Sequence, residues 1–129
     1  MNSQVSPAAI APPAANYAHG VVSTGPMRIL HTAGTVPVRR DGSVPADLTE
    51  QAETVWANLT AILDEAGMAP ADVVSVTTYV VAGEDLGTVM AARDRALGGH
   101  RAASTLVVVP ALARLEWRME IALVASSEQ

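Results

Sequence analysis

The sequence predicts one mixed α/β domain, a single β-sheet covered by two helices. Three observations carry this. Two stretches repeat apolar residues at helical spacing between cap signals, Asp47 to Gly67 and Glu84 to Gly99. The segments around them are short, rich in Val and Thr, and punctuated by Gly and Pro. At 129 residues the chain has room for one hydrophobic core.

Residues 1–14, rich in Pro and Ala, read as a loose lead, with the folded domain running from 15 to 129. Val21-Val22 begins a strand that Gly25-Pro26 breaks, and Arg28 to Val38 reads as a second. Arg39-Arg40-Asp41-Gly42 is a turn. Asp47 caps the first helix, and Glu50 three residues on completes a capping-box-like pair. Ala52, Val55, Trp56, Leu59, Ile62, Leu63 and Ala66 form its buried stripe, and Gly67 ends it as a left-handed cap. Asp72 to Val81 is β-rich. Glu84-Asp85 opens a second helix with Leu86, Val89, Met90, Arg93 and Leu97 along one side, stopped by Gly98-Gly99. Ala103–Val109 and Trp117–Ala125 complete the order β-β-α-β-α-β-β.

Composition narrows the chemistry. There is no cysteine, hence no thiolate nucleophile, and no lysine, hence no lysine Schiff base and no ordinary attachment of pyridoxal phosphate. His19, His31 and His100 lack metal-motif spacing, and no phosphate loop or Gly-x-Ser-x-Gly elbow occurs. The expectation is a site without metal or cofactor. A net charge of −5 with scattered arginines opposes nucleic-acid binding. No apolar run approaches the roughly 20 residues of a membrane helix, and the first residues lack the pattern of a signal peptide. The expected setting is the cytoplasm.

Glu120 is the residue that most needs explaining. It interrupts Trp117 to Ala125, otherwise a buried strand. Alternation puts Met119, Ile121, Leu123 and Ala125 on one face and Arg118, Glu120, Ala122 and Val124 on the other. A carboxylate among apolar neighbours is costly unless paired, hydrated or used. It is either paired structurally with Arg118 or a site carboxylate that handles protons. The strands Val73–Val81 and Thr105–Val109 barely alternate, so a sheet with helices on one face would leave a second apolar face open. An oligomer packing through that face resolves this, and brings Glu120 to a subunit interface.

Six segments follow one another in order: Asn16-Tyr17-Ala18-His19-Gly20-Val21, Thr32-Ala33-Gly34-Thr35-Val36-Pro37-Val38, Leu63-Asp64-Glu65-Ala66-Gly67, Asp72 to Tyr79, Ser104-Thr105-Leu106 and Met119-Glu120-Ile121-Ala122. Together, in their order and spacing, they resemble the RidA (YjgF/YER057c/UK114) family. The resemblance implies a chorismate-mutase-like fold and a homotrimer with a small-molecule cleft at each subunit interface. It also implies cofactor-free hydrolysis of reactive enamines and imines to keto acids and ammonia.

The departures are specific. The arginine with which deaminating members clamp a substrate carboxylate falls at Ala103, with Arg101 two residues earlier. The family's asparagine on the second helix falls at Met90, and its serine before the second-strand glycine at Ala33. Tyr17, Thr105 and Glu120 are retained as cleft residues. Arg118 either neutralises Glu120 or replaces the missing clamp. His19 stands where a glutamine is usual. The expectation is a divergent member acting on a small imine, enamine or related conjugated metabolite, with a cleft for a less anionic or larger ligand. The competing readings are a binding protein without chemistry and a cofactor-free tautomerisation, dehydration or cyclisation. Ribonuclease activity, credited to some members, is opposed by the acidic balance.

Overall fold

In the computed structural model, which describes residues 1–128, the strands are β1 (Asn2–Val5), β2 (Gly20–Ser23), β3 (Met27–His31), β4 (Val73–Val81), β5 (Ala103–Val109) and β6 (Met119–Glu128). The helices are α1 (Leu48–Glu65) and α2 (Leu86–Ala96). The main sheet has the order β3-β6-β4-β5, with β4 and β5 parallel and the other pairs antiparallel. The β4–β5 crossover contains α2, as a parallel pair requires.

Alternation assigns the faces. Met119, Ile121, Leu123 and Ala125 of β6 join Val73, Val76 and Val80 of β4 in one buried cluster with α1 and α2. Each such side chain contributes about 1.5–3 kcal/mol by leaving water. From α1 the cluster takes Leu48, Ala52, Val55, Trp56, Leu59 and Leu63, a helical stripe. Ile62, expected in that stripe, is instead 37% exposed, because its position turns off the packed face. Both N-caps fall where the sequence put them. Asp47 accepts from the Glu50 amide, and Asp85 accepts from the Gly87 amide and the Thr88 hydroxyl. Gly67, Gly98 and Gly99 adopt positive φ beyond the helix ends.

Four boundaries differ from the sequence reading. The lead is not wholly loose: β1 pairs antiparallel with β2, the Asn2 amide donates to the Ser126 carbonyl, and Gln4 donates to the Arg101 carbonyl. Asn-Ser-Gln-Val carries no apolar alternation, so backbone pairing makes this strand. The second strand stops at His31 rather than Val38, because its pairing with β6 shifts register beyond that point. A short 3-10 turn occupies Pro70–Asp72, so the next strand begins at Val73. The last strand starts at Met119 and runs to Glu128.

Gln51 is 1% exposed on the buried side of α1. Its amide donates to the Pro45 and Glu116 carbonyls, 2.8 Å each, and its oxygen accepts from the Arg118 amide at 3.0 Å. One side chain thus ties two loops to α1 and fixes the entry into β6. Gln51→Leu leaves these backbone groups unpaired, and urea unfolding should show a loss of about 3 kcal/mol. Asp85 has its carboxyl held below 3.8, chiefly by the Thr88 hydroxyl and then by the Gly87 amide. A lowered folded-state pKa adds stability above the unfolded value, and that stability disappears as pH falls through the folded pKa. Acid unfolding below about pH 4 should therefore be less steep in Asp85→Asn, which keeps the acceptor without the titration.

Candidate active site

The face of the sheet away from the helices carries Ser75, Thr77, Tyr79 and Val81 of β4 with Glu120, Ala122 and Val124 of β6, all half-buried. Ile29 of β3 and Val107 of β5 are 60% and 38% exposed. Glu120 lies opposite Tyr79 across the β4–β6 ladder. Among the described residues its carboxylate has no hydrogen bond and no ion pair. Arg118 does not neutralise it. The Arg118 Nε faces Glu84 Oε1 at 3.5 Å instead, across the turn that leads from β4 to α2. Sharing a strand face was insufficient for the pair, because Glu84 lies within reach on the same side.

The chain beyond β3 builds the other wall. His31 pairs with Val124, whereas Thr35 pairs with Ile121, so one strand spends an extra residue over this stretch. This is a β-bulge. Two hydroxyls fasten it. Thr32 accepts from the Leu123 amide at 3.0 Å and donates to the Ala33 carbonyl at 2.8 Å, while Thr35 donates to the same carbonyl at 3.3 Å. Gly34 is thereby brought against the Glu120 side chain. Beside it on the same face, His31, Thr32, Ser75, Thr77 and Ala122 line a depression of about 90 Å³. Two hollows of about 340 and 400 Å³ lie between the 38–51 and 114–118 segments, with Arg118 lining the smaller.

The remaining sequence candidates gather elsewhere. Ala103 opens β5 and forms a bridge with Ala18, next to Tyr17. Tyr17 stands edge-on to His19 with ring centroids 6.1 Å apart, and its hydroxyl accepts from the Ala14 amide. His19 Nδ1 is buried without a partner. Arg101 Nε donates to Asn16 Oδ1 at 2.7 Å, so it anchors the loop carrying Tyr17. Thr105 pairs with Thr77, level with Ala122. Met90 sits half-buried on α2, in the layer beneath the sheet.

The register measures the separation. Glu120 is level with Tyr79 and Val107, so Ala103 lies four residues down β5 and two strands across. That is about 13 Å along the strands and about 10 Å across them. The candidate residues therefore fall into two groups in one chain: Ala33, Gly34, Tyr79 and Glu120 in one, and Tyr17, Arg101, Ala103 and Thr105 in the other. Gly34 and Tyr79 were missed as site residues. Gly34 stood in a quoted motif, but only strand pairing reveals its neighbour.

A family model described as Endoribonuclease L-PSP matches residues 8–127. The 2-iminobutanoate/2-iminopropanoate deaminase of Escherichia coli K12 is 38% identical over 98 residues, covering 75% of this chain and 71% of that protein. The chain belongs to the RidA family. The crystal structure of YyfB from Yersinia pestis, titled a Rid-family protein of unknown function, superposes with a TM-score of 0.82 at 31% identity, covering 96% and 97% of the two chains. TdcF of E. coli, crystallised with bound serine, gives a TM-score of 0.71 at 28% identity over 98% and 96%. The expected RidA fold is the observed one, with two helices over the four-stranded sheet and β1 and β2 paired in a second, two-stranded sheet.

Proposed function

We propose that this RidA-family chain hydrolyses a small reactive imine or enamine to a carbonyl compound and ammonia. The observation that carries the reading is Glu120, a half-buried carboxylate without a partner among the described residues, on the sheet face that the helices leave open. An enamine first takes a proton on carbon and becomes an iminium. Water adds to the C=N carbon while Glu120 accepts its proton. The nitrogen of the carbinolamine then takes that proton, the C–N bond breaks with its electron pair going to nitrogen, and ammonia leaves as the hydroxyl oxygen forms the C=O bond and returns its proton to solvent, balancing the one taken up by carbon. Water is the only co-reactant. The activity for which the E. coli relative is named, deamination of 2-iminobutanoate and 2-iminopropanoate, supports the reaction class.

The cleft is assigned to the junction between copies in a homotrimer. The separation of Ala103 from Glu120, about 13 Å along the strands and about 10 Å across them, supports this, since one small ligand does not span it within a single chain. Exposed Ile29 and Val107 give the open face a reason to be covered. The substrate class shifts with Ala103. Arg118 is ion-paired with Glu84, whereas Arg101 gives only its Nε to the neutral Asn16 oxygen, so among the described residues neither stands at the place of the family arginine. Imines without a carboxylate suit such a cleft, and Glu120 stabilises their iminium form electrostatically. A second reading, ligand binding without turnover, is favoured by Ala33, Met90 and Ala103 replacing polar family residues. Ribonuclease activity has no basic stripe to support it.

The test is ammonia release from imines generated in situ by amino-acid and amine oxidases. Wild type should exceed buffer, with amine-derived imines preferred. Glu120→Gln should lower the rate by about 100-fold or more, and Ala103→Arg should shift preference toward 2-imino acids. Mixing Glu120→Gln with Tyr17→Ala subunits should restore part of the activity. Saturable binding with a rate no greater than buffer for every imine would leave the second reading standing.

A further inference from the structure

Among the nine glycines, Gly34 has a distinct reason to be glycine. Six others adopt positive φ, which favours glycine for backbone reasons; Gly34 does not. Space decides instead. A Cβ on Gly34 would overlap Glu120 Oε2 outright and lie 2.8 Å from Cδ and 3.2 Å from Cγ. At Gly20 and Gly87 the nearest atoms would be 4.0 and 3.5 Å away, which is ordinary contact. The missing side chain is therefore occupied by the carboxylate itself. The bulge delivers this gap to Glu120, and Thr32 and Thr35 hold the bulge through hydroxyl bonds to the Ala33 carbonyl.

We propose that Gly34 is a positioning residue, the socket that fixes the rotamer of Glu120 and aims its carboxylate at the substrate. The inference rests on the hydrolytic role proposed for Glu120, but the socket is a geometric claim testable without turnover. A glutamate on an open sheet face has three side-chain torsions to restrain. No hydrogen bond from the described residues restrains them, so walls must do so. Close approach to the Gly34 backbone supplies one such wall, and Tyr79 stands opposite Glu120 in the β4–β6 register. The overlapping atoms are the far end of a flexible side chain. Gly34→Ala therefore moves the carboxylate and leaves the backbone in place.

The experiment compares wild type, Gly34→Ala, Glu120→Asp, the double variant and Gly87→Ala as a control outside the site. Each is followed by thermal unfolding, steady-state imine hydrolysis and the 13C resonance of the residue-120 carboxyl. Gly34→Ala should fold and unfold cooperatively, shift the Glu120 resonance, and lose about 100-fold in kcat with a smaller change in KM. Aspartate carries its carboxyl carbon where glutamate has Cγ, clear of the worst overlap. The double variant should thus be more active than the product of the two single losses predicts. Gly87→Ala should match wild type. A folded Gly34→Ala with wild-type kcat and an unmoved resonance overturns the proposal. If wild type hydrolyses no imine, the resonance alone decides: a shift upholds the socket while the hydrolytic reading falls, and no shift ends both.

Discussion

The antiparallel pairing of β6 with β4 is the constraint on which the rest depends. Its register places Met119, Ile121 and Leu123 beside Val76, Thr78 and Val80 on one face, and Glu120 and Ala122 beside Tyr79 and Thr77 on the other. A slip of one residue would put the carboxylate into the core and an isoleucine into water. Core and candidate site are therefore fixed by the same ladder. The helices bury one face at about 25 cal/mol per Å² of apolar surface, and that burial is what holds Glu120 outside. Gln51 secures the ladder at its entrance by bonding the Arg118 amide two residues before Glu120.

The distribution of charge follows from who reaches whom. Arg118 finds Glu84, Arg101 finds Asn16, and Arg93 is buried against Ser104 and Asp94 on the helix side. Arg118 and Arg93 are held in ion pairs, whereas Arg101 bonds only a neutral amide oxygen through its Nε. The open face keeps a carboxylate and hydroxyls, an environment that attracts cations and protonated nitrogen and repels a second carboxylate. The Ala103 substitution and this charge arrangement point the same way. The chain is similar in sequence to a protein named a 2-iminobutanoate/2-iminopropanoate deaminase, and under the function proposed above its open face favours a substrate of different charge.

Glycine and threonine chemistry links the fold to the site. A bulge in an otherwise paired edge lets the chain spend one residue without pairing it. Here the hydroxyls of Thr32 and Thr35 take over bonds that ladder carbonyls and amides would otherwise make. The result is a backbone that approaches a side chain closely, at a residue with no side chain of its own.

The sequence by itself determined the elements whose signals are local. Asp47 and Asp85 cap helices because a short acidic side chain reaches the next amides. Gly67 ends one because left-handed backbone favours it. The alternation of Met119 to Ala125 fixed which face is buried, and the isolated carboxylate in it marked Glu120. The order and spacing of the RidA-like segments carried the family resemblance. Tertiary structure alone decided everything that depends on distance between remote residues. The strand Asn2–Val5 exists only because Gly20–Ser23 pairs with it. Arg118 chose Glu84 over Glu120, a matter of angstroms that spacing along one strand does not encode. Gly34 and Glu120, 86 positions apart in the sequence, became neighbours through one extra residue in a bulge. Tyr17, Ala103 and Thr105 were held away from Glu120 by the sheet's width. Local signals act through bonds to adjacent residues and survive in sequence, whereas the site is made of contacts that exist only once the strands have chosen their register.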